Sequence, residues 1–247
     1  MFSSLFDIFR RKEEPLRDFS WLSTDMHSHL IPGIDDGAKS LDESLVLIVE
    51  LQKLGFKKLI TTPHIMSDYY RNTPENILGG LAQIKQALAD ENIEMEIEAA
   101  AEYYFDDGLF KKLEEEKLLT FGDNYVLFEI SYINCPDNIN DLIFRMQVQG
   151  YKPILAHPER YPFWYHDYDK YKEIKDLGVV LQLNLNSLSG YYGPEAKKLG
   201  EQLLDDNLVE MLGTDCHHER HIYALKNCLK ERYVRKISEG NFLNSTL

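Results

Sequence analysis

The segment DMHSHLIPGIDDG, Asp25 to Gly37, places two histidines and three acids within thirteen residues. A helix or a core strand gains nothing from that density. Imidazole and carboxylate without thiolate are the donor types that hold Zn, Mn or Fe for hydrolysis. One segment cannot complete such a site, so the rest of the chain must supply ligands. His64 closes TTPH, Glu102 follows AAA, Glu129 lies within VLFEI, His157 stands in AHPER, and GTDCHH carries Asp215 and His217. A lone histidine of this kind is more often a hydrogen-bonded structural residue than a ligand. Glu129, however, would be costly among its apolar neighbours if left unpaired.

The elements that position these residues alternate between strand and helix. STDMHSHL reads as a short strand running into a loop. Ser40 and Glu43 have capping-box spacing at the start of SLDESLVLIVELQKLG, and Gly55 stands where a helix ends. Strand KKLITTPH follows. Thr73-Pro74 then opens the helix PENILGGLAQIKQALAD. Further strands are expected at IEMEIEAAAE, NYVLFEIS, YKPILAHP, VVLQLNLNS and LVEMLGTD. Helices are expected around 108–116, 137–149, 169–177 and 194–206, with a last one over 222–233 and KISEGNFLNSTL as a tail. Runs such as PILA suit parallel strands buried on both faces. The alternation predicts a barrel or a doubly wound sheet. With no linker, repeat or low-complexity stretch, residues 24–247 are expected to form one domain behind an extension over 1–23.

Five of the eight histidines, His27, His29, His64, His157 and His217, then fall at strand exits. In a parallel barrel all exits share one face, where active sites are built. Six of seven strands would deliver a ligand type to that face. This pattern predicts a polynuclear metal centre. Metals there would activate water as hydroxide near neutral pH and neutralise charge developing on a substrate. Arg160, in HPER, could fork two oxygens of an anionic group or form a plain salt bridge at the rim. Arg220 and Arg71 are weaker candidates. The aromatics Tyr103, Tyr104, Phe105, Tyr161, Phe163, Trp164, Tyr165, Tyr69 and Tyr70 lie near the same exits. Of these, Tyr69, Tyr70, Phe163, Trp164 and Tyr165 are expected to flank the mouth.

Composition narrows the functional class. The 247 residues are 44% hydrophobic and 28% charged, with a net charge of −14. That balance fits a globular chain and argues against a nucleic-acid surface, which needs clustered cations. No apolar run reaches membrane-spanning length. The opening MFSSLFDIFRRKEEP has its basic residues after the apolar ones, the wrong order for a signal peptide; a short amphipathic docking segment or a tail is expected. Three scattered cysteines fit a reducing cytoplasm. A cysteine phosphatase needs Arg six positions after its nucleophile, and Cys135, Cys216 and Cys228 are followed there by Asp141, Ile222 and Val234. That mechanism is excluded. Cys216, alternating with the two proposed ligands beside it, should point to the opposite strand face.

In order, DMHSH…DDG, TPH, AEYY, FEIS, AHPERY and TDCH resemble the metal motifs of the PHP (polymerase and histidinol phosphatase) superfamily. Within it, the resemblance is to the metal-dependent protein-tyrosine phosphatases of capsule and exopolysaccharide loci, the CpsB/YwqE type. It runs from Asp25 to beyond His217. HxH alone is shared with amidohydrolases, but the ordered set with AEYY and HPERY is specific. The resemblance implies an α/β fold, a distorted TIM-like barrel of seven strands and helices, holding three divalent ions, Mn foremost, with Fe or Zn as alternatives. Carried over, His27, His29, Glu102 and Asp215 hold the first ion. Glu102 bridges to a second with Glu129 and His157. His64, His217 and an acid of DDG, Asp36 with Asp35 as fallback, hold the third. Arg220 would take the phosphate-binding role of an arginine in a turn that is short here, HHERHI. The long leading segment is a second departure from many relatives.

The activity implied is hydrolysis of phosphotyrosine on a protein, by the same resemblance the tyrosine-rich tail of a bacterial tyrosine kinase controlling polysaccharide export. A small-phosphomonoester enzyme such as a histidinol phosphatase is the alternative. A scaffold with structural metals is the alternative of another class, though it should have lost a ligand and none is missing. Oligomeric state is open.

Overall fold

The computed structural model describes residues 15–115 and 117–247. Most of the amphipathic opening, residues 1–14, and the last position of the expected helix at 108–116 lie outside them. The described residues hold nine strands, β1 (Thr24–Asp25), β2 (Lys58–Thr61), β3 (His64–Ile65), β4 (Glu96–Ala99), β5 (Glu102–Tyr104), β6 (Tyr125–Glu129), β7 (Lys152–Ala156), β8 (Val180–Asn184) and β9 (Met211–Gly213). Two expected strands are therefore broken. KKLITTPH divides at Thr62-Pro63, where Pro63 has no N–H for a ladder, into β2 and β3. IEMEIEAAAE divides at Ala100-Ala101 into β4 and β5.

The two breaks lie side by side, and hydrogen bonds cross both. Ala100 N donates to Thr61 O at 2.9 Å and Glu102 N to Pro63 O at 3.1 Å. The result is a three-stranded sheet, β1-β2-β4, and a six-stranded sheet, β3-β5-β6-β7-β8-β9. All pairs are parallel. Beyond β9, Cys216 forms a parallel bridge with Ser28 beyond β1. Pairing thus leads back to the first strand, in a distorted TIM-like α/β arrangement.

Helices start and stop where local chemistry directs. In α1 (Leu41–Lys53) the Ser40 side chain accepts from Glu43 N. In α2 (Pro74–Asp90) a reciprocal capping box joins Thr73 and Asn76 behind Pro74. The others are α3 (Asp107–Glu115), α4 (Ile139–Val148), α5 (Asp169–Asp176), α6 (Leu185–Leu188), α7 (Pro194–Asp205), α8 (Glu219–Cys228) and α9 (Arg232–Ile237). The short α6 replaces the end of the expected strand VVLQLNLNS, because the Asn184 side chain caps Asn186 N. The expected last helix is two. Leu229 ends α8, and its carbonyl accepts from Leu16 N at 3.1 Å.

Both ends of the described chain pack against this frame. Phe19 is fully buried and stacks on Phe56, with centroids 5.5 Å apart. In the expected tail, buried Asn244 donates to Thr24 O and Leu212 O at 2.9 and 2.7 Å, tying β1 to β9. A small apolar cluster including Met26, Ile60, Ala100, Leu127, Ile154 and Met211 fills the space between strands. Two residues on from Ala100 and Leu127, on the same strand face, come Glu102 and Glu129. Among the described residues, no helix is long and apolar enough to cross a membrane.

Candidate metal centre

Each candidate ligand emerges at the C-terminal side of a strand or at a break. His27 and His29 follow β1, and His64 opens β3 in register with Glu102 on β5. Glu129 ends β6, His157 follows β7, and Asp215 and His217 follow β9. His157 and Asp215 have φ of 34° and 49°, left-handed values that cost energy for non-glycine residues and turn the side chains away from strand alternation. Two glycines permit the close approach. A Cβ on Gly37 would lie 2.1 Å from His29 O, and one on Gly213 would lie 2.7 Å from His27 Cβ.

Glu102 sits at the centre, fully buried. Its Oε2 is 3.2 Å from His27 Nε2, 3.4 Å from His29 Nε2 and 3.2 Å from His64 Nδ1. Its Oε1 is 3.1 Å from His157 Nε2. Asp215 Oδ1 lies 3.4 Å from both His27 Nε2 and His29 Nε2. Glu129 lies 3.4 Å from His64 Nδ1 and 3.9 Å from His157 Nε2. Asp36 Oδ1 is 3.5 Å from His64 Nε2 and 3.4 Å from His217 Nε2. Thus His27, His29, Asp36, His64, Glu102, Glu129, His157, Asp215 and His217 fall into four overlapping groups, each with ligand atoms within 4.8 Å of one another. Asp35 faces elsewhere. It accepts from Gly37 N and His64 N and pairs with His29 Nδ1 at 2.8 Å.

A second layer, which sequence reasoning missed, orients the imidazoles. Gln182 Oε1 lies 2.9 Å from His27 Nδ1, and the carbonyl of Asp215 lies 2.9 Å from His217 Nδ1. With Asp35 on His29, these acceptors hold the proton on Nδ1 and leave Nε2 facing the centre. Asn184 donates to Asp215 Oδ2 at 2.9 Å, and buried His221 contacts the Asp215 carbonyl at 2.8 Å. Asp25 takes Thr214 Oγ1 and N at 2.6 and 2.8 Å, fixing the chain just before Asp215. The signal for β8 was present in LQLNLN, where Gln182 and Asn184 place amides on one face of an apolar strand. Gln182→Leu is expected to weaken metal affinity roughly 10- to 100-fold with the fold retained. Metal titration checks it, and unchanged affinity would remove Gln182 from this role.

The electrostatics ask for cations. Burial alone would raise Glu102, but His27 and His64 bring its carboxyl well below the usual range. Glu129 moves the other way, well above it, through burial and the charge of Glu102. Burial lowers His64 and His157 to about 4, with Arg160 adding to the effect on His157. Burial also opposes a charge on His27 and His29, but Glu102 and Asp215 raise the first and Asp35 the second, so protons and a divalent cation compete for the same crowded donors. His64 Nδ1 and Glu102 Oε2 are both buried without a hydrogen-bond partner. Two such atoms aimed at one space fit a divalent cation between them.

The three candidate arginines separate. Arg160 Nη1 lies 2.7 Å from Asp215 Oδ2, and its guanidinium is 4.0 Å from the Tyr192 ring and 5.2 Å from that of Tyr132. Arg220 is exposed at the start of α8, beside Asp42, Glu43 and His218 in a surface cleft. Among the described residues it makes no hydrogen bond or ion pair to the cluster. Arg71 turns to Ser67 O at 2.8 Å. Cys216 is fully buried, and burial pushes its thiol well above the ordinary range, so it offers no thiolate.

The expected aromatic mouth needs correction. Trp164 is buried at 4% exposure, edge-on to Tyr161 and Tyr171, because the turn at Pro162–Trp164 folds it under the loop. Trp164→Ala is therefore expected to cost about 3–5 kcal/mol of stability, read by denaturant unfolding, without changing substrate preference. Tyr103 is also core. Tyr70 does lie at the site, stacked on His64, and is joined by Tyr132 and Tyr192, which the sequence reading passed over.

A parallel-stranded α/β fold whose strand exits converge imidazoles and carboxylates on one centre defines a TIM-like protein with a candidate metal site. The chain belongs to the family described as capsular polysaccharide synthesis, CpsB/CapC, whose pattern matches residues 23–243. It is similar to the putative tyrosine-protein phosphatase CapC of Staphylococcus aureus, 26% identical over 217 residues, 87% of this chain and 85% of that one. It is also similar to tyrosine-protein phosphatase YwqE of Bacillus subtilis (strain 168), 27% identical over 195 residues, 78% and 77% of the two chains. A solved structure from work on YwqE of Bacillus subtilis and CpsB of Streptococcus pneumoniae, described as unique metal-dependent tyrosine phosphatases, matches with TM-score 0.76 at 24% identity. It covers 87% of this chain and 91% of that one, a likeness of fold.

Proposed function

We propose that the chain is a metal-dependent protein-tyrosine phosphatase holding three divalent ions, Mn foremost. Its substrate would be phosphotyrosine in the tail of a bacterial tyrosine kinase of polysaccharide export, in the cytoplasm. The observation that carries this reading is Glu102, one buried carboxylate within 3.4 Å of four imidazoles from three separate segments, with Arg160 on the neighbouring Asp215. The names of the curated relatives support the same activity.

His27, His29, Glu102 and Asp215 would hold the first ion, Glu102, Glu129 and His157 the second, and His64, His217 and Asp36 the third. Such ions supply an activated water and charge neutralisation for a phosphoryl group. Around them, the chain's own residues do the positioning. Arg160 presents its planar fork to two phosphate oxygens, held between Tyr132 and Tyr192. Tyr70, Tyr132 and Tyr192 border the place of the substrate's phenol ring. A tyrosine phenolate, with a solution pKa of about 10, leaves more readily than an alkoxide, so the demand for a strong general acid is modest.

Chelation should abolish hydrolysis and Mn should restore it. Phosphotyrosine peptide should be turned over with kcat/KM at least about a hundredfold above histidinol phosphate. Parity or a preference for the metabolite would replace this reading with a small-phosphomonoester phosphatase, and activity surviving full metal removal would end it.

A further inference from the structure

Three loops at the site share one arrangement. Each carries an inner tyrosine lying on a site residue and, directly beside it in sequence, an exposed large apolar side chain. After β3, Tyr70 stacks on His64 with centroids 5.5 Å apart, and its neighbour Tyr69 is 80% exposed. After β6, Tyr132 stacks on His157 at 5.9 Å while staying 39% exposed, and Ile133 beside it is 87% exposed. Between α6 and α7, Tyr192 lies 4.0 Å from the Arg160 guanidinium. Its neighbour Tyr191 is 41% exposed, with its ring 5.1 Å from that of His221.

Scattered exposed apolar residues are ordinary on a protein surface. Here, however, Ile133 and Tyr69 are the two most exposed large apolar side chains among the described residues, and both adjoin the site. Two of the loops are also pinned. Ser67 N donates to Asp106 Oδ2 and Met66 N to Tyr70 O, each at 2.8 Å, while Tyr132 rests on Tyr161 at 5.4 Å. Groups held in place lose little freedom on binding.

We infer that Tyr69, Ile133 and Tyr191 form an outer ring that binds the polypeptide on either side of the phosphorylated residue, favouring apolar or aromatic neighbours. The inference rests on the phosphatase reading above. A small phosphomonoester reaches only the inner tyrosines. A polypeptide whose phosphotyrosine enters the site must lay its neighbouring residues across these loops. Asp68, directly before Tyr69, and Asp106, which accepts from Ser67 N, add negative charge beside this loop, which disfavours an anionic membrane and favours apolar over acidic flanks.

The test uses the metal-loaded full chain. It compares kcat/KM for a phosphotyrosine peptide with apolar flanks against that for p-nitrophenyl phosphate. Tyr69→Ala, Ile133→Ala and Tyr191→Ala should each lower the peptide-to-small-substrate ratio roughly three- to tenfold, mainly through KM, and the triple variant about a hundredfold. In the wild type, replacing the peptide's flanks with Gly and Ser should erase the same advantage. An unchanged ratio overturns the inference, as does equal loss on both substrates, which marks a structural role. A change in sedimenting mass at constant ratio also overturns it, since the patch would then serve a second copy. If the wild type hydrolyses no phosphotyrosine substrate, the phosphatase reading fails by itself. Binding of the same peptides, read by fluorescence anisotropy, then decides the outer ring.

Discussion

Glu102→Ala should purify folded but with at least two of its three expected metal ions missing, and with activity reduced by a thousandfold or more, on the order of a lost major electrostatic stabiliser. The carboxylate stands 3.2 Å from His27, 3.4 Å from His29, 3.2 Å from His64 and 3.1 Å from His157. Among the described residues, no other side chain in the cluster contacts imidazoles from three segments. On the proposed assignment, removing it would leave the first and second ions each short of a ligand and would withdraw the negative charge that favours both. Glu102→Gln keeps the shape and one weak donor oxygen, so it should retain more metal than alanine but little rate. Elemental analysis of both variants, alongside circular dichroism, reads the result. Full occupancy in Glu102→Ala would show that Glu102 is not shared between ions.

Arg160→Ala should do the reverse, keeping its metals and losing kcat/KM by a factor on the order of 10² to 10³. Arg160 touches the cluster only through Asp215 Oδ2, at 2.7 Å, while Asp215 Oδ1 is the oxygen facing His27 and His29. Asn184 also donates to Oδ2 at 2.9 Å, so Asp215 keeps a partner when the guanidinium is gone. Arg160→Lys should recover no more than about tenfold, because an ammonium lacks the bidentate fork and stacks less well between Tyr132 and Tyr192. Competitive inhibition by inorganic phosphate should weaken in parallel. If Arg160→Ala instead loses metal, the residue acts by supporting Asp215 and not by reading phosphate.

Residue types and local spacing alone determined a good deal. The donor set, its placement after strands and the Ser40 and Thr73 helix starts depend on neighbours within a few residues, which local pattern records. The absence of a cysteine phosphatase loop follows from spacing in the same way, whereas Cys216 reaches the apolar core beyond the end of β9, after the left-handed turn at Asp215. Which acid of DDG faces His64 and His217 was open, and the backbone decided it. Asp35 folds back onto Gly37 N and His29, leaving Asp36 to face them.

Tertiary structure alone decided the rest, because its causes lie far apart in the chain. The breaks in KKLITTPH and IEMEIEAAAE arise together as paired strands shift between two sheets. Gln182 reaches His27 across 155 positions, and Asp25 reaches Thr214 across 189. Trp164 was expected at the mouth, yet it is drawn into the core by Tyr161 and Tyr171, and burying an indole releases more free energy than displaying it. Tyr132 and Tyr192 carry no local mark of their role. Only the convergence of the loops after β6 and β8 over Arg160 places their rings against a charge that sequence spacing could not reveal.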